Sequence, residues 1–273
     1  MKEKKVVDMI LMSSFSAIVI MLALVPNIGY ITFIPGFASL TIIHIPVIIG
    51  LMVLGIKQSV GLFTLFGVTS FVVALWRPGG PVDYAFQNPL ISILPRVIVG
   101  FISYGAMVFL KKLMTIKTYG STLIFMTVSL VTVLFLYFAG RGLSLQLGWN
   151  LNVVTPIMLV ISVLVIGVYY FQIEKRKDEE IVYVPATFIL SSMIHSLIVL
   201  TFLATITVKL PVYDDSQNII QMVSQTVPEY FETTGSALIY GSLGTSSLIE
   251  ALLAVIIGTP IVIALKNYQK RDI

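Results

Sequence analysis

Cysteine is absent from the 273 residues. That excludes disulfides, Cys-ligated zinc, iron–sulfur clusters and thiol catalysis together. Charge is scarce: Asp, Glu, Lys and Arg make up 11% of the chain, against about 25% in an ordinary soluble protein. A soluble globule of this length would have too few polar side chains to cover itself. Histidine occurs twice, as His44 and His195, with no carboxylate beside either in sequence. The chain has no G-x-x-x-x-G-K-[S/T], H-E-x-x-H, G-x-S-x-G or G-x-G-x-x-G string. It therefore lacks a P-loop for ATP, a zincin-type metal pair and a nucleophile elbow. No catalytic residue, cofactor or metal ligand is assigned, and the chain reads as something other than an enzyme.

What is present is apolar. Hydrophobic residues are 57% of the chain and its mean hydropathy is +0.99. Eight apolar segments can be drawn: Val6–Val25, Leu40–Ile56, Ser59–Trp76, Pro89–Leu110, Tyr119–Ala139, Val153–Phe171, Ile181–Val208 and Ala237–Leu265. A helical span needs about 20 apolar residues, so the sequence predicts an all-α integral membrane protein with eight transmembrane helices. The second segment is short. Its approach, Asn27 to Phe37, is punctuated by Gly and Pro, which suits irregular backbone packed in protein or lining a cavity. The basic start before the first apolar run resembles a signal peptide, but no Ala-x-Ala site follows and the first helix reads as retained.

Lys and Arg set the orientation. With the N-terminus inside, thirteen fall on inner segments, from Lys2 to Arg271, and only Arg77, Arg141 and Lys209 fall outside. This asymmetry places both termini in the cytoplasm. It also accounts for the net charge of +4 and pI near 9.2 without a nucleic-acid partner. The outer stretch Lys209–Ser236 is the longest hydrophilic segment, with Asp214, Asp215, Glu229 and Glu232 and a short amphipathic piece expected at Ile219–Val227. No internal repeat stands out.

Charges inside apolar spans are costly and mark function or structure. Arg96 lies about two turns into the fourth segment and Glu250 near the middle of the eighth. Arg96 has two readings: a planar donor fork for a substrate carboxylate, or an internal pair with Glu250 or a clamp on loop carbonyls. Glu250 either ties its helix to a neighbour or accepts a substrate hydroxyl or amide. His44, after Thr41, is either a ligand donor or a helix-start histidine bonded to backbone. His195 reads as packing against a polar neighbour. Trp76 and Tyr84 are belt aromatics or pocket walls, and Asn88 before Pro89 is a ligand donor or a helix cap. Ser13 and Ala17 form a small-residue face on the first helix, suited to close helix contact.

One region carries a resemblance. The strings Thr41-Ile42-Ile43-His44-Ile45-Pro46-Val47-Ile48-Ile49-Gly50 and Asn88-Pro89-Leu90-Ile91-Ser92-Ile93-Leu94-Pro95-Arg96, with Leu248-Ile249-Glu250-Ala251 and Thr259-Pro260-Ile261-Val262, resemble the substrate-binding S component of energy-coupling factor (ECF) vitamin transporters. The pantothenate-type members are the nearest in these strings. Ser13 and Ala17 resemble that family's Ala-x-x-x-Ala docking motif, with Ser in the first place. The resemblance implies a six-helix core in two parts, 1–117 and 181–273, interrupted by an inserted two-helix hairpin at 118–180. It implies a vitamin ligand bound near Thr41, His44, Trp76, Tyr84, Asn88, Arg96 and Glu250. It also implies as partners a membrane coupling protein, docked at Ser13 and Ala17, and two cytoplasmic ATPase subunits, in a bacterial plasma membrane. A stand-alone secondary transporter of a small organic solute is the alternative. Such a carrier places coupling acids or histidines along a path, and only Glu250 and the two histidines are available.

Overall fold

The structure is a computed structural model and describes residues 2–26, 28–31, 40–116, 119–176, 179–214, 216, 218–242 and 247–271. The elements run α1 (Lys2–Leu24), β1 (Tyr30–Ile31), β2 (Leu40–Thr41), α2 (His44–Val53), α3 (Ile56–Trp76), α4 (Pro81–Ala85), α5 (Pro89–Ser92) and α6 (Leu94–Met114). They continue with α7 (Gly120–Leu147), α8 (Leu151–Arg176), α9 (Glu179–Thr205), β3 (Val208–Tyr213), β4 (Ile219–Gln225), α10 (Val227–Tyr230), α11 (Gly235–Ser242) and α12 (Leu248–Arg271). Among the described residues, seven stretches are long and apolar enough to cross a membrane: α1, α3, the α5–α6 pair, α7, α8, α9 and α12. The protein is a multi-pass helical membrane protein with two small β-hairpins.

The second apolar segment is the first departure from expectation. Only ten residues of it are helical, about 15 Å at 1.5 Å per residue, half of a hydrocarbon core about 30 Å thick. Every residue from His44 to Met52 is buried, among α1, α3 and α12 in the main. Just before this helix, Leu40–Thr41 pairs antiparallel with Tyr30–Ile31, Tyr30 opposite Thr41 and Ile31 opposite Leu40; of the irregular approach expected at Asn27 to Phe37, residues 27 and 32–37 lie outside the described residues. Unpaired backbone is untenable against lipid but is tolerated where protein surrounds it. Gly29 sits at the close approach, where a Cβ would lie 2.2 Å from the Leu22 carbonyl oxygen.

The fourth segment also bends. Asn88 caps α5 by accepting from the Leu90 N–H at 3.0 Å, and Pro89 follows at the first helical position. Pro95, in the first turn of α6, donates no hydrogen bond. The chain jogs at Ile93, and α3 packs onto the jog through Gly67, where a Cβ would come within 2.8 Å of the Ile93 Cα and the Ser92 oxygen.

Two further expectations are corrected. Ile219–Val227 is not an amphipathic helix: Ile219–Gln225 is strand β4, paired antiparallel with β3 from Val208 opposite Gln225 to Tyr213 opposite Ile219. Its β-branched residues fit a pleated ribbon, and Val208 and Leu210 on β3 are buried against the ends of α4 and α9. Glu250 does not sit mid-span but in the first turn of α12, because the segment drawn from Ala237 to Leu265 forms two helices, α11 and α12. The core is a cluster of Ile48, Leu51, Phe63, Phe66, Val99 and Phe188 with their neighbours. The α7–α8 hairpin closes on itself where Gly140 meets Met158 and Val154; the boundary drawn at 117 and 118 lies outside the described residues.

Candidate functional site

A cavity of about 370 Å³ opens where the extended entry to α2, the α3–α4 loop, α6, α9 and the start of α12 converge. Small-molecule sites occupy about 300–1,000 Å³. The sequence supplies each wall locally. Thr41 ends β2, Arg77 caps α3, Asp83 rides on the short helix α4, and Arg96 follows the jog at Ile93. On α9, Ser196, Val199, Leu200 and Leu203 face the cavity at helical spacing, with His195 beside them.

Arg96 is 4% exposed in an otherwise apolar span. Its Nη1 donates to the Ile91 carbonyl oxygen at 2.6 Å, closing on the jog between α5 and α6. Its guanidinium carbon lies 5.4 Å from the Phe66 ring centre and 5.0 Å from that of Phe86, distances at which a cation is attracted to a π-face. Its Nε has no hydrogen-bond partner among the described residues. Glu250, 5% exposed, lines the same cavity. Its Oε1 accepts from the Thr41 N–H at 2.6 Å, so the carboxylate satisfies backbone of the extended half-span. Arg96 and Glu250 make no direct ion pair among the described residues. The carbonyl clamp expected of Arg96 is real, and the Arg96–Glu250 pair is not.

The cavity mouth has its own charges. Arg77 donates from Nη2 to the Ala23 oxygen at 3.1 Å and the Leu24 oxygen at 2.7 Å, closing the end of α1. Asp83 Oδ2 accepts from the Gly79 N–H at 2.7 Å. Burial pushes the Asp83 carboxyl above its ordinary value, with the Gly79 and Gly80 N–H groups pulling the other way. A pocket with cations and carboxylates on different walls suits a solute that has an anionic end and uncharged polar groups.

The structure brings three of the proposed binding residues to the cavity wall: Thr41, Arg96 and Glu250. His44 is fully buried behind it, its ring parallel to that of His195 at 5.9 Å. Its nitrogens face the backbone of Thr41 and Glu250 without reaching well-formed hydrogen bonds. The other three lie off the wall. Asn88 is occupied as the α5 cap. Tyr84 packs half-buried against the cluster that joins α4, α9 and β3. Trp76 is 70% exposed and stacks on Arg77. Ser13 and Ala17 are both exposed on α1. Reading the sequence places the Trp76–Asn88 loop at the pocket without singling out Arg77 or Asp83, and it missed the α9 wall, whose signal was the spacing of Ser196, Val199, Leu200 and Leu203 along one helical face.

No protein-family model matches the chain. It is similar to a protein named pantothenate transporter PanT from Leuconostoc mesenteroides subsp. mesenteroides, with 31% identity over 105 residues, covering 37% of this chain and 51% of that protein. It is also similar to one named pantothenic acid transporter PanT from Lactococcus lactis subsp. cremoris, with 30% identity over 117 residues, covering 38% of this chain and 59% of that protein. The chain thus spans about half to three-fifths of the curated relatives it matches.

Proposed function

We propose that the chain is the membrane-embedded, pantothenate-binding S component of an ATP-driven ECF importer, with a six-helix core interrupted by the α7–α8 hairpin. The carrying observation is Arg96, a buried guanidinium on a cavity of about 370 Å³ whose Nε has no partner among the described residues. The names of the two relatives support the choice of ligand.

Pantothenate matches the walls group by group. Its carboxylate suits the Arg96 fork, which binds such a group more strongly than a neutral acceptor. Its two hydroxyls and amide suit Glu250, Ser70 and Ser196, and its geminal dimethyl group suits Val199, Leu200 and Leu203. Binding requires no chemical step from the protein. The cavity is polar at Arg96 and Glu250 and apolar along α9, so it orients the solute as it takes it out of water.

In this reading the loops that rim the cavity face outward and both termini lie in the cytoplasm, as the Lys and Arg asymmetry requires. The exposed Ser13 and Ala17 lie on a face of α1 that a coupling membrane protein would cover, with two ATPase subunits beneath it. The plasma membrane of a bacterium is the setting.

Two measurements test this. Calorimetric titration of the purified full chain with pantothenate is expected to give saturable binding at one site. Affinity purification from native membranes is expected to bring down a second membrane protein and two ATPases. A chain that transports pantothenate alone in proteoliposomes, with no such partners, is a secondary carrier instead. A chain that does not bind pantothenate has another solute.

A further inference from the structure

His195 is a polar group of the cavity wall with no partner on either ring nitrogen among the described residues. It is 5% exposed. The ring is held in place. His44 lies parallel to it at 5.9 Å with an interplanar angle of 8°, and Phe66 packs against it at 5.4 Å. Phe66 is also the ring under the Arg96 guanidinium, so one aromatic side chain positions both polar groups. A neutral imidazole carries one donor and one acceptor. Leaving both unmet in a buried site is unfavourable unless something that enters the cavity meets them. Ser196 adjoins on the same helix and lines the same cavity. His44 differs, because it lies behind the wall against backbone of Thr41 and Glu250.

We infer that His195 is a specificity-determining residue of the cavity, which hydrogen-bonds an uncharged polar group, hydroxyl or amide, of the solute whose carboxylate Arg96 holds. This rests on the pantothenate reading and assigns a residue that composition and motif reading give to packing. Arg96 selects for charge at one end of the ligand. His195 selects for the polar middle, and so rejects fatty acids and other simple carboxylates of similar length. A site built to hydrogen-bond a polar group discriminates strongly against analogues that lack it.

The chain has two histidines, which makes the test direct. Full-length protein with ring-15N-labelled histidine is titrated with pantothenate, and His195→Phe assigns the signals. The His195 ring nitrogens are expected to shift on saturation. His195→Phe, which keeps a planar ring, is expected to weaken pantothenate binding by about tenfold or more. Its ligand-free melting temperature should be unchanged or higher. Its preference for pantothenate over panthenol, which has an alcohol in place of the carboxylate, should remain that of the wild type, since that ratio reads Arg96. Unmoved His195 signals at saturation would overturn the assignment, and where His195→Phe fails to fold, no shift at either histidine would overturn it too. A His195→Phe protein that binds pantothenate as tightly as the wild type would overturn it too. Loss of affinity together with loss of the carboxylate preference would make His195 a support for Arg96, again overturning the assignment. Wild-type protein that binds neither compound removes the pantothenate reading, and this assignment with it.

Discussion

Helices α8 and α9 follow each other in the chain and are both long and apolar, yet they live in different surroundings. In α8, 17% of the spanning window is buried; in α9, 56% is. The polar content follows burial. Ser162 of α8 is buried but spends its hydroxyl on the Met158 oxygen of its own helix, at 2.8 Å. By contrast, α9 buries Ser191, Ser192, His195 and Ser196, and five of its residues reach the cavity: His195, Ser196, Val199, Leu200 and Leu203. No described residue of α7 or α8 lines that cavity. Lipid cannot satisfy polar groups, so a membrane protein concentrates them where protein or a cavity encloses them. Residues of α3, α6, α9 and α12 line the cavity, and the described residues of the α7–α8 hairpin do not.

This contrast is open to breaking by substitution. The largest effect is expected at Arg96. Arg96→Ala should weaken pantothenate binding by roughly 2–5 kcal/mol, the range for truncating one partner of a buried charge pair. Arg96→Lys keeps the charge, loses the planar fork and should fall between. Next is Glu250→Ala, which removes the acceptor of the Thr41 N–H. It should lower ligand-free stability by about 1–3 kcal/mol, read by thermal melting, with Glu250→Gln losing less because it keeps an acceptor oxygen. Arg96→Ala destabilising the ligand-free protein as much as Glu250→Ala would mean that Arg96 serves the fold, through its clamp on the Ile91 oxygen, rather than the ligand.

A smaller effect is expected at the mouth. The Asp83 carboxyl titrates higher in the folded protein than its ordinary value, so its neutral form is favoured on folding. That stability is present below the ordinary carboxylate range and is lost as pH rises through the raised folded value. Asp83→Asn should remove this part of the pH dependence, measured by melting across acidic to neutral pH; an unchanged profile would refute it. The smallest effect is expected on the lipid face of the hairpin. Val163 and Leu164 are 70% and 63% exposed, and alanine at either should change stability by less than about 0.5 kcal/mol and leave ligand binding unchanged. A substantial loss of binding there would mean the hairpin shares in the site.

Much of this was legible in the sequence because hydropathy reports lipid directly. The apolar segments and the shortness of the second follow from the spacing of Gly, Pro and apolar residues. Arg96 and Glu250 stood out because a charge in an apolar run has few explanations. What was not legible depended on where elements break or meet. Gly241, Ser242 and Ser247 look tolerable inside a span, so composition alone joined α11 to α12 and placed Glu250 too deep. Ile219–Gln225 carries apolar residues that fit a helix or a strand, and what decides is its pairing with Val208–Tyr213, which composition alone does not show. His195 looked like packing because its neighbours in sequence are Ile194 and Ser196; only the fold puts it beside Phe66 and the cavity.

The central claim is that the cavity recognises a carboxylate through Arg96. The most direct test is a pair of titrations, pantothenate and panthenol, on wild-type protein and on Arg96→Ala, with melting of each protein without ligand. The account predicts that the wild type prefers pantothenate strongly and that Arg96→Ala, while still folding without ligand, binds the two compounds about equally. An Arg96→Ala protein that keeps the full preference for pantothenate would contradict it.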